Sequence, residues 1–262
     1  MSAVILQDEI VHYEVLGRGR PLVFLHGWVG SWRYWIPAMQ AASVAFRAYA
    51  IDLWGFGDTA KNPMYYSVEQ QLNLLDQFLL KMGIGKIALV GHGLGAAVAL
   101  LFATRQPRLV DRVMGICLPN GENKLNSRMY NAAPPELVDW LLSPSPVSEA
   151  ARVEAPKADP KVVQLSLASL QNVDTNALLA RLTTPCVMVY GQNDPAVTLP
   201  LHDPLNGLPE HLHQVVFDQS GHFPMLDEPS KFNRLMADFL ALASGDSPRK
   251  LQLKEEWKRR VR

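Results

Sequence analysis

The run LVGHGLGAAVA, residues 89–99, constrains the fold more than any other part of the chain. An apolar segment, 87–90, stops at Gly91, and a helix-compatible segment, 94–104, begins at Leu94. Gly91, Gly93 and Gly95 alternate through the junction. Glycine lets a backbone turn sharply and lets another segment approach closely. The pattern predicts a strand, a tight turn and a helix, with Gly93 at the apex. It also puts the amide of Leu94 at the positive end of a helix dipole.

The rest of the chain repeats this alternation. Strands are predicted at 4–7, 9–16, 21–25, 45–51, 86–90 and 110–118, and helices at 32–42 and 94–105. Ser67 and Gln70 fit a capping box ahead of Leu72, Leu75, Phe78, Leu79 and Met82 at helical spacing. Between 119 and 172 several prolines, among them Pro134, Pro135, Pro144 and Pro146, interrupt short helical pieces at 136–142 and 161–170. The alternation resumes with a helix at 176–182, strands at 186–191 and 214–218, and a helix at 229–242. This predicts an α/β fold, a mostly parallel sheet covered by helices on both faces, with a helical cap insertion. The expected divisions are a core of 1–118 and 173–244, a cap of 119–172 and a basic C-terminal tail of 245–262. Right-handed crossovers bring the loops at His26, Asp52, Gly91, Pro119, Gly191 and Gly221 to one crevice at the carboxyl ends of the strands.

Composition narrows the partners. At 262 residues and 48% hydrophobic content the chain can bury a sizeable core, and its zero formal net charge gives no global case for nucleic acid. The start, MSAVILQDEIVHYEV, lacks the features of a signal peptide, and no run approaches the roughly 18 apolar residues of a membrane helix. A cytoplasmic protein is expected. Cys117 and Cys186 lie in apolar strand-like runs and read as buried free thiols. His202, His211 and His213 have no carboxylate or cysteine partner on one element, so no metal or organic cofactor is expected.

Five motifs stand in a familiar order: FLHGW at 24–28, DLWGFGD at 52–58, GHGLG at 91–95, GQND at 191–194 and SGHFPMLDEP at 220–229. Together they make the chain, from about residue 8 to 243, resemble the α/β-hydrolase superfamily of esterases, lipases, dehalogenases, epoxide hydrolases and C–C bond hydrolases. The resemblance implies that Asp194 is the acid and His222 the base of a catalytic triad. It implies that the backbone amides of Trp28 and Leu94 form an oxyanion hole. It also makes Gly93 the nucleophile position, normally Ser, Cys or Asp. Glycine supplies no nucleophile, so covalent acyl-enzyme chemistry is excluded at this position. The apex is normally strained for a residue with a side chain, by about 1–3 kcal/mol, and glycine relieves that strain.

Three readings stay open. The first is a pseudoenzyme or inactivated hydrolase that binds a small apolar ester- or ketone-like ligand. The second is an enzyme that uses the Asp194–His222 dyad as general base on water or on substrate, with a water in the volume left empty at Gly93. The third is a ligand sensor or interaction protein. Ser31, His92 and Cys117 read as loop or packing residues and not as replacement nucleophiles. Trp28 and Trp54, on loops, and Trp140, in the predicted cap, are the expected apolar ligand wall. Trp32 and Trp35 read as packing residues, and Asp58 as a turn residue. Lys124 and Arg128 could meet a ligand carboxylate. The tail, SPRKLQLKEEWKRRVR, could form a basic amphipathic helix that touches a membrane or a protein, although a solvated helix is the favoured reading.

Overall fold

The computed structural model describes residues 2–119, 125–199 and 209–251. Gln7 and Asp8 both take positive φ, 51° and 62°, and close a two-residue hairpin between β1 (Ser2–Leu6) and β2 (Glu9–Leu16). The chain continues through β3 (Arg20–Leu25), α1 (Ile36–Ala42), β4 (Phe46–Ile51), α2 (Val68–Lys81), β5 (Ile87–His92), α3 (Leu94–Arg105) and β6 (Val110–Ile116). After β6 come α4 (Arg128–Asn131), α5 (Pro134–Leu141), α6 (Glu149–Glu154) and α7 (Val162–Leu170). The remainder is α8 (Thr175–Arg181), β7 (Cys186–Gly191), β8 (Leu212–Phe217), α9 (Pro224–Asp227) and α10 (Pro229–Ala241).

The sheet order is β1-β2-β4-β3-β5-β6-β7-β8. β2 pairs antiparallel with both β1 and β4, and the other pairings are parallel. Every residue of β5 and β7 is buried, as expected for strands with helices on both faces. Helix α3 is apolar around most of its circumference because it packs on the sheet and on α2 and α8 together.

Two local expectations change. The segment predicted as one helix at 32–42 is a 3-10 turn, Trp32–Trp35, followed by α1, whose first turn carries Pro37. Proline tolerates a helix start and not a helix interior. The turn is capped by Ser31, whose Oγ accepts the Arg33 amide at 3.2 Å. Only half of the expected capping box forms: Ser67 Oγ accepts the Gln70 amide at 3.3 Å, but Gln70 Oε1 is buried without a partner.

Polar contacts tie α6–α7 to the sheet-side loops. The Asp159 amide donates to the Gly55 carbonyl at 2.8 Å, and the Val68 amide to Ser169 Oγ at 2.8 Å. The buried carboxylate of Glu154 meets Arg33 Nε at 2.6 Å and Lys157 Nζ at 3.0 Å, and Lys157 also reaches Asp58 at 3.1 Å. Asp58 is therefore an ion-pair partner in addition to a turn residue. No helix among the described residues is long and apolar enough to cross a membrane.

Candidate functional site

The strand-to-helix turn after β5 has Gly93 at its apex, at φ 50° and ψ −109°. Its shape is held from several directions. The Gly93 amide donates to the Ile116 carbonyl at 2.8 Å, and the Gly95 amide to the His26 carbonyl at 3.1 Å. A Cβ at Gly91 would strike the Gly95 carbonyl, and one at Gly95 would strike the Leu25 carbonyl. Backbone strands approach here at distances that only glycine permits.

A side chain already lies over the apex. A Cβ at Gly93 would stand 3.0 Å from both Cε3 and Cζ3 of Trp28. The Trp28 indole is almost wholly buried, at 1% exposure, and its Nε1–H donates to Ser166 Oγ on α7 at 3.0 Å. The six-membered ring of Trp28 thus crowds the side of the apex where a side chain at residue 93 would begin. Leu94 and Trp54 are also fully buried. Trp54 packs on Tyr65, with ring centroids 5.1 Å apart, and Trp140 is half-buried on α5 beneath the Arg128 guanidinium.

Asp194 and His222 come together from two loops beyond β7 and β8. His222 Nδ1 and Asp194 Oδ2 are 2.8 Å apart, and both side chains are 2% exposed. Burial alone pushes Asp194 up. The charge and hydrogen bond of His222, with the amides of Ala196 and Val197 on the carboxylate at 2.8 and 3.1 Å, outweigh it and hold Asp194 below its ordinary value. Asp194 therefore stays ionised and accepts the His222 Nδ1 proton, which fixes the tautomer of the ring. The DEP residues of the 220–229 motif shape the same loop: Asp227 accepts the Gly221 amide at 2.8 Å, and Glu228 accepts the Ser220 hydroxyl at 2.7 Å.

Sequence reasoning missed one connection. The Gly27 amide donates to the Tyr34 hydroxyl at 2.7 Å, and that hydroxyl lies 3.0 Å from His92 Nδ1. His92 Nε2 lies 2.8 Å from the His222 carbonyl, which can only accept, so Nε2 carries the proton and Nδ1 accepts from Tyr34. Burial, reinforced by the neighbouring His222, holds His92 well below the ordinary imidazole value and keeps it neutral. His92 thereby joins three loops of the crevice. The signal was the apolar context of His92, which marked it as a packing residue without showing its partners.

Cys117, at φ 47°, follows β6 and lies beside Asp194 and Gly191. Burial pushes its thiol well above the ordinary range, so it is held as the neutral thiol. His92, Cys117 and His222 stand close enough to suggest a metal cluster. Both nitrogens of His92 are engaged by protein groups, so a cation bound there would have to displace one of those partners. His211 and His213 lie at β8, away from any such set among the described residues. Lys124, His202 and residues 252–262 of the tail lie outside the described residues.

Comparison with known proteins agrees with this architecture. The model of the alpha/beta hydrolase family matches residues 22–235. A pimeloyl-[acyl-carrier protein] methyl ester esterase of Vibrio parahaemolyticus is 24% identical over 253 residues, covering 87% of this chain and 97% of its own. A putative carbamate hydrolase RutD of Stutzerimonas stutzeri is 25% identical, covering 90% of this chain and 98% of its own. Among solved structures, an N-acyl homoserine lactonase, AidH, superposes with a TM-score of 0.78 at 19% identity, covering 91% of this chain and 96% of its own. That structure is a serine-to-glycine variant complexed with N-hexanoyl homoserine lactone. A putative aryl esterase of Burkholderia cenocepacia superposes at 0.76 with 20% identity, covering 91% and 97%. With its strand order, its glycine-built turn and a family match over most of its length, the chain belongs to the alpha/beta hydrolase family.

Proposed function

We propose that this protein keeps the binding apparatus of an α/β-hydrolase without its covalent step, and holds a small apolar ester- or ketone-like ligand between the sheet and a cap made of α4–α7. The observation that carries this reading is Gly93 at the apex of the turn, beside a complete Asp194–His222 hydrogen bond of 2.8 Å. On this reading Asp194 and His222 are the acid and base of an incomplete triad. The Trp28 and Leu94 amides are the oxyanion-binding donors, and Trp28, Trp54 and Trp140 contribute apolar wall. A solved structure of this fold, the serine-to-glycine variant of AidH, is complexed with N-hexanoyl homoserine lactone, which supports ligand retention without a nucleophile.

A second reading rests on the ionised Asp194 against His222 Nδ1. Such a pair can act as a general base on a substrate proton directly, with no covalent intermediate.

The experiment is a thermal-shift and turnover screen of p-nitrophenyl esters and aryl ketones, with fluorophosphonate labelling read by intact mass. Stabilisation by a ketone, with no labelling and no turnover, supports the first reading. Turnover that disappears in His222→Ala replaces it with the second. Fluorophosphonate adduct formation on the wild-type chain overturns both.

A further inference from the structure

The hydrogen bond between Trp28 and Ser166 is buried and joins segments 138 residues apart. Ser166 is 0% exposed, and its own hydroxyl proton is directed to the Val162 carbonyl at 2.6 Å on the same helix. Its oxygen is therefore left as an acceptor, aimed at the Trp28 indole N–H. A serine in a helix interior that bonds back to the preceding turn has a fixed rotamer, so the acceptor position is set by α7 itself. At the other edge of the indole, the six-membered ring stands where a Cβ on Gly93 would be 3.0 Å away. One edge of the indole thus meets a hydroxyl on α7 and the other meets the apex at Gly93. No other side-chain hydrogen bond joins Trp28 to its surroundings among the described residues.

We propose that Ser166 is a positioning residue that parks the Trp28 indole over Gly93, and that a ligand of the crevice is admitted when this bond is given up. The proposal rests on the ligand-binding reading above and adds the residue that controls entry. Opening the bond frees the ring to swing from the apex and exposes the His222 side of the turn. A ligand with a hydrogen-bond acceptor, such as a ketone or ester carbonyl, can then take the indole N–H that Ser166 held. Purely aliphatic ligands leave that N–H without a partner in a buried site and bind less well. Movement of α7 and availability of the apex become one event, because the same hydroxyl belongs to both.

The test compares the full-length wild type with Ser166→Ala and Ser166→Thr, using indole-15N labelling and Trp28→Phe to assign the signal. Hydrogen exchange at the Trp28 Nε1–H and affinity for acetophenone are measured on each. Exchange is expected to accelerate on the order of tenfold in Ser166→Ala, the effect of losing one buried hydrogen bond. Acetophenone is expected to bind several-fold tighter to Ser166→Ala, while Ser166→Thr, which keeps the hydroxyl, returns both readouts to wild type. Wild-type exchange in Ser166→Ala overturns the proposal. So does accelerated exchange with unchanged acetophenone affinity. If acetophenone and its ester analogues bind neither protein, the ligand reading of the site fails, and exchange still decides whether Ser166 holds the ring.

Discussion

The His92 imidazole donates its Nε2 proton to the backbone carbonyl of His222 at 2.8 Å, so one histidine holds the main chain of the other. The ring centroids are 4.7 Å apart, and the Tyr34 hydroxyl completes the arrangement on the far nitrogen of His92. The loop bearing His222 is thereby tied to the strand that leads into the turn at Gly93.

His92→Phe keeps the ring volume and removes both hydrogen bonds. The Tyr34 hydroxyl and the His222 carbonyl then lose a partner in a buried setting, a cost of about 1–3 kcal/mol for each group left unpaired. Urea denaturation is expected to show the loss, and the His222 Nδ1–H signal in NMR is expected to broaden as its loop loosens.

Gly93→Ser is expected to destabilise the fold. The apex φ of 50° is unfavourable for a residue with a side chain, and the new Cβ meets two Trp28 carbons at 3.0 Å. Strain of this kind costs about 1–3 kcal/mol. The penalty should shrink when Ser166→Ala lets the indole move, and a double-mutant cycle by chemical denaturation reads that coupling. Additive losses would show that the ring gives way on its own.

Acid stability should depend on Asp194. Its carboxyl is held below the ordinary 3.8, so its contribution is present above that pH and disappears as the pH falls through the native-state value. Unfolding free energy measured against pH should therefore separate wild type from Asp194→Asn at neutral pH, with the two curves converging at strongly acidic pH.

His12 works in the opposite sense. Burial pulls it down, but the hydrogen bond to Asp52 at 2.9 Å and the charges of Asp52, Glu14 and Asp58 raise it above 6.5. The stability it confers is fully present below that value and is lost as the pH rises through the native pKa. The stability gap between wild type and His12→Gln is expected to narrow on the alkaline side.

Glu154→Gln should loosen the attachment of α6. Glu154 is 2% exposed, whereas its partners Arg33 and Lys157 are more than a third exposed, so solvent can take over part of their pairing. Faster amide exchange in residues 149–170, with the sheet unchanged, is the expected result; uniform protection would show that apolar packing alone fastens these helices.

Much of this was legible from residues alone. The apolar runs of β3, β5 and β7 announced buried parallel strands, because two-sided burial removes the alternation that marks a half-exposed strand. Asp194 and His222 were readable from their motifs, and the structure brings them within hydrogen-bonding distance. Trp28 was read as ligand wall from its place on a loop. Its indole N–H bonds to a hydroxyl 138 residues along the chain, a contact that no local pattern encodes. The Tyr34–His92–His222 connection was hidden for the same reason: three residues that look apolar or aromatic in context share protons across separate loops. Helices α4 and α6 escaped notice because four- and six-residue segments are too short to display a period.

The close backbone approaches at Gly91 and Gly95 involve neither the side chain nor the identity of residue 93. The architecture of the turn and the chemistry performed there are therefore separable traits. Exchange of residue 93 can alter what the apex does while the backbone frame around Gly91 and Gly95 persists.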